Sequence, residues 1–455
     1  MSSRPPNPLS ATTTLPVTIG RSAPLRSHRS PLVLAGPVYS PLVWWLQPFR
    51  AIAFIVLPIF CFAAYLNQYN YGAFGSVRDF VTRETFALAI FSAAMLLLGT
   101  AIGMLSIRRN DEVTIIDEDR VTRVLVWLGW ITIAAYVLLL GTLIVRYDLV
   151  LALLRGNPAA PSELRLVLGR IPGVTSFIQF GFVYLALLSA LVTMSGFRIS
   201  PRMRTMALTI IVLTFLRSLF ASERLALLEI LAAIFLIPVA YRWRPSALRT
   251  LAPFLGIGAV FIAFAAGEYL RSWQYYRNLY ASYYDFITQR FAGYFSTSIN
   301  NGSGAYLLFG KSHPVPQITT GWISKFPGLG RLFATPSETM LDHYLATYGS
   351  PEFNNPGGFY AAYLDYNFTV ASVFMIVVGV LIGLVYRSFE NKSLIGLILY
   401  PAVFLGMTDL IRIMYLTDTR TLPIFLGSVA VVYAVRPKRL SRERFLKITA
   451  GDARL

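Results

Sequence analysis

Residues 268–304 read EYLRSWQYYRNLYASYYDFITQRFAGYFSTSINNGSG, and residues 336–367 read PSETMLDHYLATYGSPEFNNPGGFYAAYLDYN. Together they open and close a long polar insertion. The apolar run LAPFLGIGAVFIAFAAG (251–267) precedes it, and FTVASVFMIVVGVLIGLV (368–385) follows it. Runs of that length match what a helix needs to cross a bilayer core of about 30 Å. The insertion is therefore expected to stand outside the membrane, joining two spans, and any chemistry is expected at its mouth.

The remainder of the chain agrees. Of 455 residues, 55% are hydrophobic and 14% charged, against about 25% charged in an ordinary soluble domain. Mean hydropathy is +0.58. The ten-residue alternating segments of a membrane barrel are not seen. Net charge is +18, but the insertion is neutral. It holds six bases (Arg271, Arg277, Arg290, Lys311, Lys325, Arg331) and six acids (Glu268, Asp285, Glu338, Asp342, Glu352, Asp365). The positive excess thus lies in tails and short loops, which is the positive-inside pattern rather than a nucleic-acid surface. One cysteine, Cys61, excludes an internal disulfide, and three histidines leave no His-rich metal site. No cofactor is expected.

The fold class expected is an all-α polytopic membrane protein with about ten transmembrane helices. The spans fall near 43–67, 86–106, 122–145, 176–196, 205–220, 225–241, 251–270, 368–388, 394–413 and 421–436. Residues 1–41, rich in Pro, Ser and Thr, read as a disordered basic cytoplasmic tail. Residues 42–267 hold the first seven helices, 268–367 an extracytoplasmic, partly helical loop that roofs the site, 368–436 the last three helices, and 437–455 a basic cytoplasmic tail. The ELRLVLGR stretch (163–170) reads as a surface-lying amphipathic helix. The Lys/Arg bias places both termini on the cytoplasmic side.

That topology puts Arg217, Arg224, Arg271, Arg412 and Arg420 at helix ends on the outer face, at one depth. An interfacial arginine costs a few kcal/mol unless paired, and guanidinium groups grip phosphate oxygens bidentately. A bound lipid diphosphate fits that set. The plainer reading pairs them with Glu223, Glu268, Asp409 and Asp418 or turns them to lipid headgroups. The aromatic run after Glu268 offers Trp273, Tyr276, Tyr284 and Tyr294, whose flat faces suit sugar rings; an interfacial aromatic belt is the alternative. Glycosyl transfer needs a base to take an acceptor hydroxyl proton. The candidates are Glu338, Asp342, His343 and Asp365, with His343 favoured and Asp365 alternatively orienting the loop.

The layout resembles the bacterial oligosaccharide repeat-unit polymerases, the Wzy-type O-antigen polymerase family. The matching stretches are SERLALLE (222–229), RFAGYF (290–295) and GGFYAAYLDYNFTVASVFMIVVGVLIGLVYRSF (357–389). In place of a Tyr-x-Asp-Phe-Gly-like step, this chain has Leu364-Asp365-Tyr366-Asn367. The resemblance implies a GT-C-like glycosyltransferase of the bacterial inner membrane. It would join polyprenyl-diphosphate-linked oligosaccharides, as donor and acceptor, without metal or nucleotide sugar, alongside a flippase and a chain-length regulator. It also implies diphosphate-binding roles for Arg217, Arg224, Arg271 and Arg290. An O-antigen ligase-like transferase or a lipid-linked sugar transporter would share much of this layout.

Overall fold

The computed structural model describes residues 32–34, 42–69, 78–108, 112–155, 163–164, 173–220, 223–243, 246–310, 316–324, 340–349, 353–441 and 445. The side chains of residues 153, 154, 224, 270 and 271 are outside that description. Seven helices are long and apolar enough to cross a membrane, so the chain is an all-α, multi-pass membrane protein. They are α1 (Pro48–Gln68), α2 (Arg83–Ser106), α3 (Glu118–Val145), α4 (Val174–Ser195), α5 (Pro201–Phe220), α7 (Ala247–Glu268) and α11 (Phe368–Glu390). Three shorter apolar helices pack among them: α6 (Arg224–Tyr241), α12 (Leu394–Thr408) and α13 (Thr421–Val435). Within the insertion lie α8 (Tyr283–Phe309), α9 (Met340–Thr347) and α10 (Gly358–Asp365).

The helix starts follow local chemistry. Thr82 and Thr85 form a reciprocal capping box on α2. Asp117 accepts from the Asp119 and Arg120 amides to cap α3. Ser246, Ser282, Asn367 and Ser393 cap α7, α8, α11 and α12 in the same way. The Asp117-Glu118-Asp119 triplet is thus a helix start.

Helix α4 is the hub, 72% buried along its apolar window, whereas the corresponding window of α7 is only 6% buried. The tightest seam joins α2 to α11. A Cβ at Gly99 would stand 2.0 Å from the Ile376 carbonyl oxygen, and one at Gly103 2.2 Å from that of Val380. Reciprocally, a Cβ at Gly379 would meet the Leu96 oxygen at 2.2 Å, and one at Gly383 the Thr100 oxygen at 2.4 Å. Two Gly-x-x-x-Gly rows therefore let these backbones touch, the packing expected where lipid gives no hydrophobic drive between helices.

A small sheet closes one end of the bundle. Strands β1 (Leu32–Leu34), β2 (Glu112–Ile116) and β3 (Lys438–Ser441) pair antiparallel in that order, with Leu32 opposite Ile116 and Glu112 opposite Ser441. The sequence reading had residues 1–41 as a disordered tail and 437–455 as a basic tail, with no strand in either. Val113, Ile115, Ile116, Leu32, Val33 and Leu34 are β-branched or aliphatic, and each strand meets its ladder partners only through segments distant in sequence. The rest of 1–41 and most of 442–455 lie outside the described residues, as does most of the 163–170 stretch. The sheet follows the last turn of α2, and the insertion packs on residues before its first turn, so the bundle has a sheet end and an opposite, loop end.

Candidate functional site

Helix α8 organises the loop end. Its first half is aromatic and packs on the end of α7. Phe286 is fully buried, with ring centroids of Trp273 at 5.5 Å, Tyr276 at 5.4 Å and Tyr280 at 5.3 Å. Inside this box Arg290 is fully buried. Its Nε donates to Glu268 Oε2, and its guanidinium lies 5.2 Å over Tyr276 and 5.3 Å over Phe353. Trp273 and Tyr276 therefore act first as packing around an ion pair, a desolvated cation held by rings and a carboxylate. Tyr284 is exposed, and Tyr294 is half-buried, 5.0 Å from Phe353.

The second half of α8, Ser296 to Ala305, is buried on all sides. Small residues allow this. A Cβ at Gly302 would meet the Pro356 oxygen at 2.1 Å, and one at Gly304 the Tyr344 hydroxyl at 2.3 Å. Asn300 accepts from the Phe80 amide (2.7 Å) and donates to the Arg78 carbonyl (2.9 Å). Asn301 donates to the Phe353 carbonyl (2.6 Å). Two neighbouring amides thus fasten the segments around 78–80 and 353–355 to one helix. No candidate drawn from the sequence lay in this stretch. Its signal is a run of ten residues that are all small or polar except Ile299, which reads as loop unless its burial is known.

The arginines form a row across the loop end. Arg412 contacts Asp409 through Nε (3.0 Å to Oδ1) and Nη2 (3.3 Å to Oδ2), and lies 5.3 Å over the Tyr294 ring. Its carbonyl accepts from the Gly357 amide at 2.9 Å, tying the 409–414 turn to the insertion. Gly357 has φ of +69°, a conformation that suits glycine there. Further along, Arg217 and Arg420 both meet Glu223, Arg420 at 2.6 Å. Arg420 also lies 3.7 Å from Glu229, whose Oε1 accepts from the Tyr415 hydroxyl at 2.8 Å. Burial alone would raise the Glu223 carboxyl, but Arg420 and Arg217 outweigh it and hold it below the ordinary value. Burial raises Asp409, against Arg412, with Asp418 and Glu229 adding to the rise.

Of the five arginines expected at one depth on the outer face, the side chains of Arg217, Arg412 and Arg420 are described. Arg217 and Arg420 converge, whereas Arg290 and Arg412 each rest on their own carboxylate. Glu223 pairs with Arg217 and Arg420, and Asp409 with Arg412, as in the plainer sequence reading, whereas Glu268 pairs with Arg290, which was not in that set. Arg224 begins α6 and Arg271 lies in the turn after α7; their side chains are outside the described residues.

The base candidates separate as well. Asp365 is buried and accepts four hydrogen bonds, from the Gln317, Ile318 and Thr319 amides and the Thr319 hydroxyl, at 2.6–3.0 Å. It orients the 316–320 turn, the alternative role foreseen for it. Asp342 and His343 are exposed on α9, whose Tyr344 and Leu345 pack on Phe80 and Ala305. Glu338 lies outside the described residues. Among the described residues no cluster of His, Cys, Asp and Glu could hold a metal.

A feature the sequence did not announce lies beside this row. An apolar groove of about 900 Å³ runs between α7 and the bundle, lined by α1, α6, α7, α8 and α12. Ile59, Phe235, Val260 and Phe291 represent its walls. Apart from Trp45, its polar lining among the described residues is Thr288 and Thr408. Thr408 immediately precedes Asp409, and Thr288 is two residues from Arg290. The groove is thus apolar along most of its length and abuts the charged row at the loop end.

Neither family models, nor curated proteins, nor solved structures yield a match to this chain.

Proposed function

We propose that this protein is a membrane glycosyltransferase that polymerises polyprenyl-diphosphate-linked oligosaccharide repeats into a surface polysaccharide, as the Wzy-type resemblance implies. The observation that carries the reading is the juxtaposition at the loop end: an apolar groove of about 900 Å³ abutting a row of guanidinium and carboxylate groups set among aromatic rings. A ligand matched to both needs a long hydrocarbon part and an anionic, sugar-bearing head.

The topology in this reading has ten crossings. Strands β2 and β3 are hydrogen-bonded, so they share one side of the membrane. Five of the long helices lie between them in sequence, an odd number that would separate them. Counting α6, α12 and α13 as crossings restores an even number. The Lys/Arg bias then makes the sheet end cytoplasmic and the loop end the outer face of a bacterial inner membrane.

In the reaction, a hydroxyl oxygen of one lipid-linked repeat attacks the anomeric carbon of a second. The bond from that carbon to the diphosphate oxygen breaks, and the diphosphate leaves with the electron pair. Arg412, with Arg217 and Arg224, steadies the charge that grows there. The hydroxyl proton goes to a base, drawn from Asp342 and His343 on the exposed face of α9. Direct displacement inverts the anomeric centre, and neither metal nor cofactor enters.

Incubating the purified protein in nanodiscs with a single lipid-linked repeat tests the reading. A ladder of products is expected. Transfer to a different acceptor without a ladder would make the protein ligase-like, and movement of the repeat across a bilayer without bond formation would make it a transporter.

A further inference from the structure

Arg217 stands near the end of α5 and Arg420 just before α13, yet Nη2 of each meets the same oxygen, Glu223 Oε2. Two guanidinium groups from separate helices on one oxygen is an arrangement suited to gripping a phosphate. The carboxylate that fills it is tied to these two guanidinium groups rather than to the helix it begins. Glu223 occupies the N-cap position of α6 but makes no capping hydrogen bond, and its side chain is 29% exposed while that of Arg217 is 4% exposed. Arg420, by contrast, is held from behind. Its amide donates to Asp418 Oδ1 at 2.9 Å, and Glu229, fixed by the Tyr415 hydroxyl, lies 3.7 Å from its Nη1. Among the described residues that Nη1 has no aligned hydrogen-bond acceptor, which leaves a buried donor in hand.

We propose that Arg217 and Arg420 form a seat for one phosphate of a lipid-linked diphosphate, that Glu223 fills this seat in the unliganded protein, and that an arriving phosphate displaces it toward solvent. The choice of ligand rests on the transferase reading; the seat and its plug rest on the contacts above. Because Glu223 leaves and Glu229 stays, the exchange trades one carboxylate for one phosphate without stranding either arginine.

Calorimetric binding of inorganic pyrophosphate to the full-length protein in nanodiscs tests this, comparing wild type with Glu223→Gln and Glu223→Asp. The aspartate keeps the charge but withdraws the carboxylate by one methylene. Both variants should bind about tenfold more tightly, because a plug in place about nine-tenths of the time lowers apparent affinity by that factor. Tightening by glutamine alone would mean simple charge repulsion and overturns the plug; no tightening in either variant also overturns it. If neither variant folds, Arg420→Lys in the unaltered background should weaken pyrophosphate binding about tenfold, and unchanged binding overturns the seat. Pyrophosphate binding needs no sugar transfer. A protein that shows the Glu223 effect but forms no ladder keeps the seat and loses the transferase reading, and the converse result does the reverse.

Discussion

Arg412, like Arg420, is a fifth exposed, whereas Arg290 is fully buried and Arg217 nearly so. It follows Thr408, on the groove wall, by four residues. Arg412→Ala is expected to slow chain extension about 10²–10³-fold, the usual effect of losing a donor aimed at developing charge. An unchanged ladder would remove it from the site. Glu223 sets a pH dependence. Its folded value is below the ordinary 4.5, so its pairing contributes stability that is full above that value and is lost as pH falls through the folded one. Thermal midpoints should therefore decline below about pH 4.5 in wild type, and Glu223→Gln should remove that part of the decline. The acid partners of the arginines could be named from the sequence because topology set both at the same helix ends. Which arginine met which acid could not, since Glu223 lies far along the chain from Arg420. The role of Asp365 was legible only as one of two, because the amides it accepts from, at 317–319, are separated from it by a long stretch of insertion.

Two helix contacts carry most of the architecture that positions the site. The Gly99/Gly103 and Gly379/Gly383 rows leave no room for a Cβ, so Gly379→Ala should cost about 1–3 kcal/mol through forced separation of α2 and α11. A lowered thermal midpoint in detergent checks this; Gly256→Ala on α7, where an added Cβ would meet nothing within 4 Å among the described residues, should not lower it. Asn301→Ala should cost about 1–3 kcal/mol by leaving the Phe353 carbonyl without its buried donor, and should hasten proteolytic cutting near 353–355. The spans themselves were plain in the sequence, since apolar length alone defines them. The insertion was plain as an insertion but not as a helix. Its Ser, Thr, Asn and Gly residues favour loops in isolation, and only packing against Tyr344, Tyr360 and the 353–358 turn makes them helical.

At the scale of the molecule, sidedness is the decisive claim. Replacing Cys61 gives a cysteine-free chain, into which single cysteines at Thr347, Lys392 and Ser441 can be placed. An impermeant thiol reagent added to intact cells should label position 347 and spare 392 and 441. Labelling of 392 from outside would break the ten-crossing topology, because Lys392 lies beside the sheet, its carbonyl accepting from the Thr114 hydroxyl. The groove was invisible in the sequence because its walls come from five helices and nearly every wall residue is an ordinary apolar one. The sheet has a further consequence for biogenesis. Its middle strand is made soon after α2, yet its partner Lys438–Ser441 is made only after α13. Until that partner emerges, the middle strand must wait with an open edge, so the bundle is clasped only after α13 has been made. Chains halted before Lys438 should accordingly be marked for quality-control proteases even though α13 has already been inserted.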